Sequence, residues 1–263
     1  MAPASRPVLH CAGRSFVDSM EALTRRRRAE EAAVAMGEDG AGQSVSKAER
    51  AYLFLRRRIV FCEARPGDLV DEKAIAADLG FSRTPVHEAI ARLAEEGLLR
   101  VYPRRGIVVA PISIAGINDM LDARLVIEPA SVRAAMGRGG IDRATLLTFR
   151  DDMERRIAGG GGQSDTIEDD FDFRFHMAFA RAAGNRYLTE LMARLMAVSQ
   201  RIRFFSALAP DRILASYREH VAIIDAVLSD DADAAEDAMR AHLDATREGY
   251  LAIAASRADF FAE

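Results

Sequence analysis

Along most of the chain, apolar residues recur at the three- and four-residue steps of an α-helix. The first such stripe is Ala51, Leu55 and Ile59, and Ser46 before it is a suitable N-cap. After residue 113 we find helical periods separated by glycine or polar turns, and no convincing strand. These predicted helices are 114–136, 142–157, 166–183, 185–208, 210–229 and 231–255. The pattern predicts an all-α six-helix bundle.

The segment between residues 71 and 106 has a different pattern, with two short helices around a tight turn. Ile75 and Leu79 share one helix face, and Gly80 ends that helix because glycine readily adopts the left-handed conformation of helix ends. Ser82 then caps a second helix, whose polar residues crowd its N-terminal end while its apolar residues point inward. A helix that enters the DNA major groove needs this arrangement. The pattern therefore predicts a helix-turn-helix.

Two short β-rich runs follow, 98–102 and 107–109, on either side of a turn that contains Arg104 and Arg105. Two strands around a basic turn are typical of the wing of a winged helix-turn-helix. The fold class that we expect is therefore mainly α, with a small β-wing in the N-terminal part and an all-α bundle in the C-terminal part.

These segments resemble the winged helix-turn-helix of GntR-type bacterial transcription regulators. The motifs that carry the resemblance are Ala76-Ala77-Asp78-Leu79-Gly80-Phe81-Ser82-Arg83-Thr84-Pro85-Val86, Arg92-Leu93, Glu96-Gly97-Leu98 and Arg104-Arg105-Gly106. The resemblance implies double-stranded DNA as a partner. The implied DNA-binding residues are Lys73, Ser82, Arg83, Thr84, His87, Arg104 and Arg105. His87 stands where the family more usually has an arginine, and a neutral imidazole cannot make the bidentate contact of arginine to guanine.

Charge is distributed unevenly between the two parts. The 263 residues carry a net charge of −4, but residues 1–112 hold 18 Lys and Arg against 15 Asp and Glu, and residues 113–263 hold 18 against 25. A basic N-terminal part on an acidic body fits a DNA-binding protein. No apolar run approaches the roughly 20 residues that cross a bilayer, so we expect no membrane partner. Two cysteines, Cys11 and Cys62, suit a reducing cytoplasm.

Three of the five histidines fall in the helical half, where they could contribute to a metal site. Asp172 and His176 are four residues apart, so both project from one helix face, as two ligands from one helix do. His220 and His242 lie near the apolar sides of the fifth and sixth predicted helices. Facing helices of a bundle can bring such groups together in its core. From the residues alone, a metal site and hydrogen-bonded core or surface side chains both remain open.

The helical half resembles the effector domain of the FadR-type, or FCD, branch of the GntR family. The matching segments are Asp172-Phe173-Arg174-Phe175-His176, Ala183-Gly184-Asn185, Glu219-His220 and Met239-Arg240-Ala241-His242-Leu243. The resemblance implies a divalent metal with the ligands Asp172, His176, His220 and His242. Three imidazoles and one carboxylate suit zinc, nickel, cobalt, iron or manganese and do not by themselves choose among these metals. Zinc is the metal that we expect first. The resemblance also implies that Arg124 reaches toward a small organic acid bound at the metal; simple pairing with Glu128 is the alternative.

These observations predict a metabolite-responsive transcription regulator, a repressor by resemblance, that binds a pseudo-palindromic operator as a homodimer. The competing hypothesis is a metal-dependent enzyme domain that acts on a hydroxy-acid and is fused to a winged helix. Against it, Glu219 is expected to point away from His220, which leaves no general base near the ligands. The expected domains are a flexible N-terminal extension, 1–45, a winged helix-turn-helix domain, 46–112, an all-helical effector-binding and dimerisation domain, 113–255, and a C-terminal tail, 256–263.

Overall fold

The computed structural model describes residues 45–160, 170–204, 210–257 and 260–262. The predicted N-terminal extension, 1–45, lies outside the described residues except for its last position, and so does Cys11. The first four residues of the third predicted helix and the end of the fourth are also outside them.

The fold is mainly helical, as predicted. In chain order, the elements are α1 (Lys47–Val60), α2 (Glu72–Leu79), α3 (Arg83–Glu95), β1 (Leu99–Tyr102), β2 (Gly106–Val109), β3 (Ile112–Ser113), α4 (Ile114–Arg138), α5 (Arg143–Ala158), α6 (Phe171–Ala182), α7 (Arg186–Phe204), α8 (Pro210–Leu228), α9 (Ala232–Ser256) and β4 (Phe261–Ala262). Of the described residues, 45–54 form one compact unit with 72–89, and 55–71 form a second unit with those from residue 90 onward.

The helix-turn-helix, α2 and α3, has the predicted turn. Gly80 ends α2 with a φ of 65°, in the left-handed region that glycine adopts without strain. The amide of Phe81 donates to the carbonyl of Ala76 at 2.9 Å, which closes the helix end. Val86 is fully buried on the inner face of α3, while the residues at the tip of that helix are exposed. At the start of α1, the Ser46 hydroxyl accepts from the Glu49 amide at 3.1 Å, as an N-cap does.

The wing belongs to the second unit. Strands β1 and β2 pair antiparallel, with Leu99 opposite Val109 and Tyr102 opposite Gly106. The sequence analysis did not anticipate that Leu69 forms an isolated antiparallel bridge to Val108, which adds a third short segment to the wing. A single bridged residue leaves no alternation in the sequence, so the pattern could not reveal it.

Helices α4 to α9 form the predicted bundle. Helix α9 packs mainly on α4 and α8, α5 packs on α8, and α4 packs on α6. The central core is apolar and aromatic and includes Val132, Met153, Phe171, Phe175, Phe179, Ile223, Ile224, Met239 and Leu243. Among the described helices, none combines the length and the apolar character that crossing a bilayer requires.

One expectation about this half is wrong: it contains a strand after residue 113. Ile112 and Ser113 in β3 pair parallel with Phe261 and Ala262 in β4, inside the segment that we predicted to be a C-terminal tail. Phe261 is 7% exposed, so burial of its ring stabilises this end of the chain. A pair of two-residue strands is too short to show the two-residue period of a sheet.

Candidate functional site

Four side chains from three helices converge in the bundle. Asp172 and His176 come from α6, His220 from α8 and His242 from α9, and one ligand atom from each lies within 4.8 Å of all the others. His220 Nε2 is 3.2 Å from His242 Nε2, and Asp172 Oδ1 is 3.6 Å from His220 Nε2. The three imidazoles are buried and the Asp172 side chain is 13% exposed. The structure therefore brings together all four residues that the resemblance implied as ligands.

This cluster fits a divalent metal by two physical criteria. Ligand atoms held about 2.1 Å from one ion lie roughly 3–4 Å from one another, and the separations of 3.2 and 3.6 Å fall in that range. An imidazole must also be neutral to coordinate. Burial lowers the pKa of His176, lowers that of His242 to about 4, and lowers that of His220 well below its usual value, so all three are neutral at pH 7.

Glu128 orients the first of these histidines. His176 Nδ1 forms a very short hydrogen bond to Glu128 Oε2, so its Nε2 is left for the centre of the cluster. Burial alone would raise the pKa of Glu128, but the Arg124 charge and the hydrogen bonds from His176 and Arg124 outweigh it and hold the pKa at about 2. The sequence shows Glu128 only as a helical neighbour of Arg124, so this role could not be predicted from it.

Glu219 orients His242 in the same way. His242 Nδ1 donates to Glu219 Oε2 at 2.7 Å. Arg212 holds the other side of this carboxylate with two hydrogen bonds, at 3.0 Å to Oε1 and 3.1 Å to Oε2. The expectation that no general base lies near the ligands is therefore wrong, because His242, on the neighbouring helix α9, reaches Glu219. Helical spacing within α8 could not reveal a partner that α9 supplies.

His220 differs from the other two histidines. Its ring lies against Phe175, with centroids 4.3 Å apart. Its Nδ1 is buried and has no hydrogen-bond partner among the residues that the structure describes. Two of the three imidazoles thus have a carboxylate that sets their orientation, whereas packing against an aromatic ring sets that of His220.

Arg124, the implied effector-binding residue, lies beside the cluster and is 1% exposed. Its Nε pairs with Glu128 Oε1 in a very short contact, and its Nη1 donates to Ser199 Oγ at 3.1 Å. Its Nη2 is 3.3 Å from His176 Nε2, the same nitrogen that faces the other ligands. The predicted pairing with Glu128 and the predicted approach to the metal cluster therefore coexist.

The implied DNA-binding residues are on the surface, in two places. Lys73 on α2, Ser82 just before α3, and the α3 residues Arg83, Thr84 and His87 are exposed around the helix tip, and Arg104 and Arg105 are exposed in the turn between β1 and β2. Glu72 contacts two of them: Arg83 Nε donates to its Oε1 at 3.2 Å, and His87 Nδ1 is 3.3 Å from its Oε2. The side chains of Arg83 and His87 are each 72% exposed, so both are accessible to a large ligand.

Comparison with known proteins decides the family. The family described as bacterial regulatory proteins, gntR family, matches residues 47–109, and the FCD domain matches residues 119–245. The repressor RspR of Escherichia coli K12 is 32% identical over 218 residues, which cover 82% of this chain and 93% of that protein. The chain belongs to the GntR family. It is a bacterial GntR-family transcriptional regulator with an FCD domain, and not an enzyme.

Other GntR-family relatives agree with this assignment. The repressor GlaR of Escherichia coli K12 is 26% identical over 199 residues, 73% of this chain and 90% of that protein. Among solved structures, Escherichia coli McbR/YncC has a TM-score of 0.65 at 17% identity and covers 81% of this chain and 99% of its own. A regulator from Rhodococcus sp. RHA1 has a TM-score of 0.62 at 25% identity and covers 79% and 99%. The first of these two likenesses concerns the fold alone.

Proposed function

We propose that this GntR-family regulator is a repressor whose affinity for its operator changes when a small organic acid binds at a metal centre in the helical half. The observation that carries the proposal is the convergence of Asp172, His176, His220 and His242 in a protein that also has a winged helix-turn-helix. Relatives named as repressors, RspR and GlaR, support the negative sign of regulation. The site of action is the cytoplasm, where bacterial DNA is located.

The proposed metal ligands are one carboxylate and three imidazoles, and zinc is the first candidate. Nickel, cobalt, iron and manganese accept the same set of ligands. Support comes from the convergence of the ligand atoms, the neutral state of the imidazoles, and the carboxylates of Glu128 and Glu219 on two Nδ1 atoms. When bound, the cation supplies a positive charge in a buried site, which attracts an anion.

The proposed effector is a small organic acid, because a carboxylate can bind both a cation and a guanidinium. Arg124 is the residue of this chain that we assign to it. Its Nη2 is 3.3 Å from His176 Nε2. If His176 Nε2 coordinates a metal, it can no longer accept this N–H, and the Arg124 donor becomes available to an anion beside the metal. Ser199 and Glu128 hold the rest of the guanidinium in place.

The proposed DNA interface consists of Lys73, Ser82, Arg83, Thr84, His87, Arg104 and Arg105. Support comes from their exposure and from the match of residues 47–109 to the gntR family. Two such units in a homodimer would read a pseudo-palindromic operator with half-sites about one helical turn apart. Light scattering of the free and DNA-bound protein tests the dimer, and a monomer on a single half-site would contradict it.

The experiment that tests the function combines metal, acid and DNA. Purified protein is stripped with chelator, loaded with Zn²⁺, and screened against organic acids by thermal shift, because a ligand of the folded state raises the melting temperature. The acid that raises it most is then added to a gel-shift assay with genomic DNA from beside the gene. We expect sequence-selective, salt-sensitive binding that the acid weakens only in the Zn²⁺-loaded protein. DNA binding that changes with neither the acid nor the metal would overturn the proposal.

A further inference from the structure

A chain of buried and partly buried polar side chains leads from the metal cluster to helix α1. Its members are Asp172, Arg203, Asp170, Gln200 and Arg56. All of them belong to the second compact unit. Asp170, Gln200 and Arg56 are 7%, 4% and 8% exposed, so the chain runs through the interior. None of the roles assigned above to the metal ligands, to Arg124 or to the DNA-binding residues accounts for it.

The first link joins a metal ligand to a residue that caps its own helix. Arg203 Nη1 forms a very short ion pair with Asp172 Oδ2, while Asp172 Oδ1 faces the histidines. Arg203 Nη2 donates to Asp170 Oδ1 in another very short contact. Asp170 also caps α6, since its Oδ1 accepts from the Phe173 amide at 3.2 Å. Burial alone would raise the pKa of Asp170, but the charge of Arg203 outweighs it, so the carboxylate stays ionised.

The second link runs along one amide. Gln200 Nε2 donates to Asp170 Oδ2 at 2.8 Å, and Arg56 Nη2 donates to Gln200 Oε1 at 2.6 Å. The two ends of the Gln200 amide therefore have different partners, and the amide cannot turn over without losing both bonds. Arg56 Nε in turn lies 3.9 Å from Glu96 Oε2, just after the end of α3. Arg56 is buried, whereas its neighbours Arg57 and Arg58 are partly exposed.

Such a chain can transmit changes because each member is ion-paired or hydrogen-bonded to the next. A buried donor or acceptor that loses its hydrogen-bond partner is left desolvated, which is unfavourable. A side chain that moves at one end of the chain therefore favours a matching movement of its neighbour. Apolar side chains of the same size would pack here at no such cost. The polar chain thus provides a physical connection between the carboxylate of Asp172 and helix α1.

We propose that Arg203, Asp170 and Gln200 form a relay through which the state of Asp172 controls the order of α1 at Arg56. The relay rests on the proposed metal centre. When a cation binds, the negative charge of Asp172 interacts with both the cation and Arg203, so the attraction between Asp172 and Arg203 becomes weaker. Arg203 then holds Asp170 more firmly, and Asp170, Gln200 and Arg56 are ordered in turn. Asp170, Gln200 and Arg56 are positioning residues, and they do not contact the cation.

Hydrogen exchange of the full-length protein, measured by mass spectrometry with and without Zn²⁺, tests the relay. We expect Zn²⁺ to slow amide exchange in residues 55–60 of the wild type about 5-fold or more, the low end of typical coupling between sites. Gln200→Leu, which keeps the bulk but removes both hydrogen bonds, should abolish this slowing while its Zn²⁺ affinity stays unchanged. Arg194→Leu, at an exposed position of the same helix, is the matched control and should behave as the wild type.

Arg56→Met tests the far end of the relay separately, in case Gln200→Leu fails to fold by circular dichroism. It should also remove the Zn²⁺-dependent slowing and keep the Zn²⁺ affinity. Slowing that persists in both folded variants would overturn the relay and leave the metal centre standing. Absence of Zn²⁺ binding to the wild type would overturn both. Because neither readout involves DNA, a failure of operator binding is seen separately from a failure of the relay.

Discussion

The proposed DNA-binding residues and the proposed metal cluster satisfy their charges in opposite ways. Arg83 and His87 are 72% exposed and share one carboxylate, Glu72, within the chain. His176 and His242 are buried, and each has a carboxylate at its Nδ1. Water solvates an exposed cationic side chain until a DNA phosphate takes the place of the water, whereas a buried polar group needs hydrogen-bond partners within the fold. The structure of the chain alone therefore defines the partners of the buried side chains more fully than those of the exposed ones.

The sharpest test of this contrast removes a buried ligand. His242→Ala takes one imidazole from the cluster, while Arg212 still holds Glu219, so we expect Zn²⁺ affinity to fall by more than about 100-fold. Competition with a chromophoric chelator measures it. His87→Ala removes an exposed histidine outside the cluster and should leave Zn²⁺ affinity unchanged. Equal losses in the two variants would mean that zinc binds elsewhere.

On the exposed side, Arg83→Ala should weaken operator binding by about 1–3 kcal/mol, or roughly 5- to 150-fold. Fluorescence anisotropy at several salt concentrations distinguishes a base contact from a phosphate contact, since only loss of a phosphate contact lowers the salt slope by about one. Arg186→Ala in the helical bundle is the matched control, and its affinity should equal that of the wild type. Unchanged affinity of Arg83→Ala would remove the α3 tip from the interface.

A smaller effect is expected one step away from the metal. Glu219→Gln keeps an oxygen that can accept from His242 Nδ1 but removes the charge, so Zn²⁺ affinity should fall about 10-fold. Glu236→Gln, which changes an exposed ion pair with Arg133, is the control. If both variants bind Zn²⁺ as the wild type does, Glu219 has no part in orienting His242.

The smallest effect is expected at Glu72, the carboxylate that Arg83 and His87 share. Glu72→Gln releases Arg83 and His87 for DNA, and exposed pairs of this kind are worth about 0.2–1 kcal/mol, so operator affinity should rise roughly 1.5- to 5-fold. The gain should shrink in the Arg83→Ala background, measured by the same anisotropy assay. A gain in operator affinity of the same size in both backgrounds would show that Glu72 acts through electrostatic repulsion of DNA and not through its contact with Arg83.

Local patterns in the sequence determined the helical periods, the helix-turn-helix with its Gly80 turn and the wing. Each of these depends on residues only a few positions apart, so spacing and turn chemistry are sufficient. The residues Asp172, His176, His220 and His242 could be singled out as well, by resemblance. Their convergence could not be derived from spacing, because it depends on how α6, α8 and α9 pack.

Only the tertiary structure decided which partners the buried groups have. Glu128 and Glu219 orient histidines that lie 48 and 23 residues away, and Arg56 reaches Gln200 across 144 residues. No periodic pattern carries such pairings, because they arise where helices from distant parts of the chain meet. For the same reason a run of three arginines in α1 could not show that Arg56 turns inward. Burial there is a property of the packed fold, and the requirement to satisfy each buried charge then selects the partner.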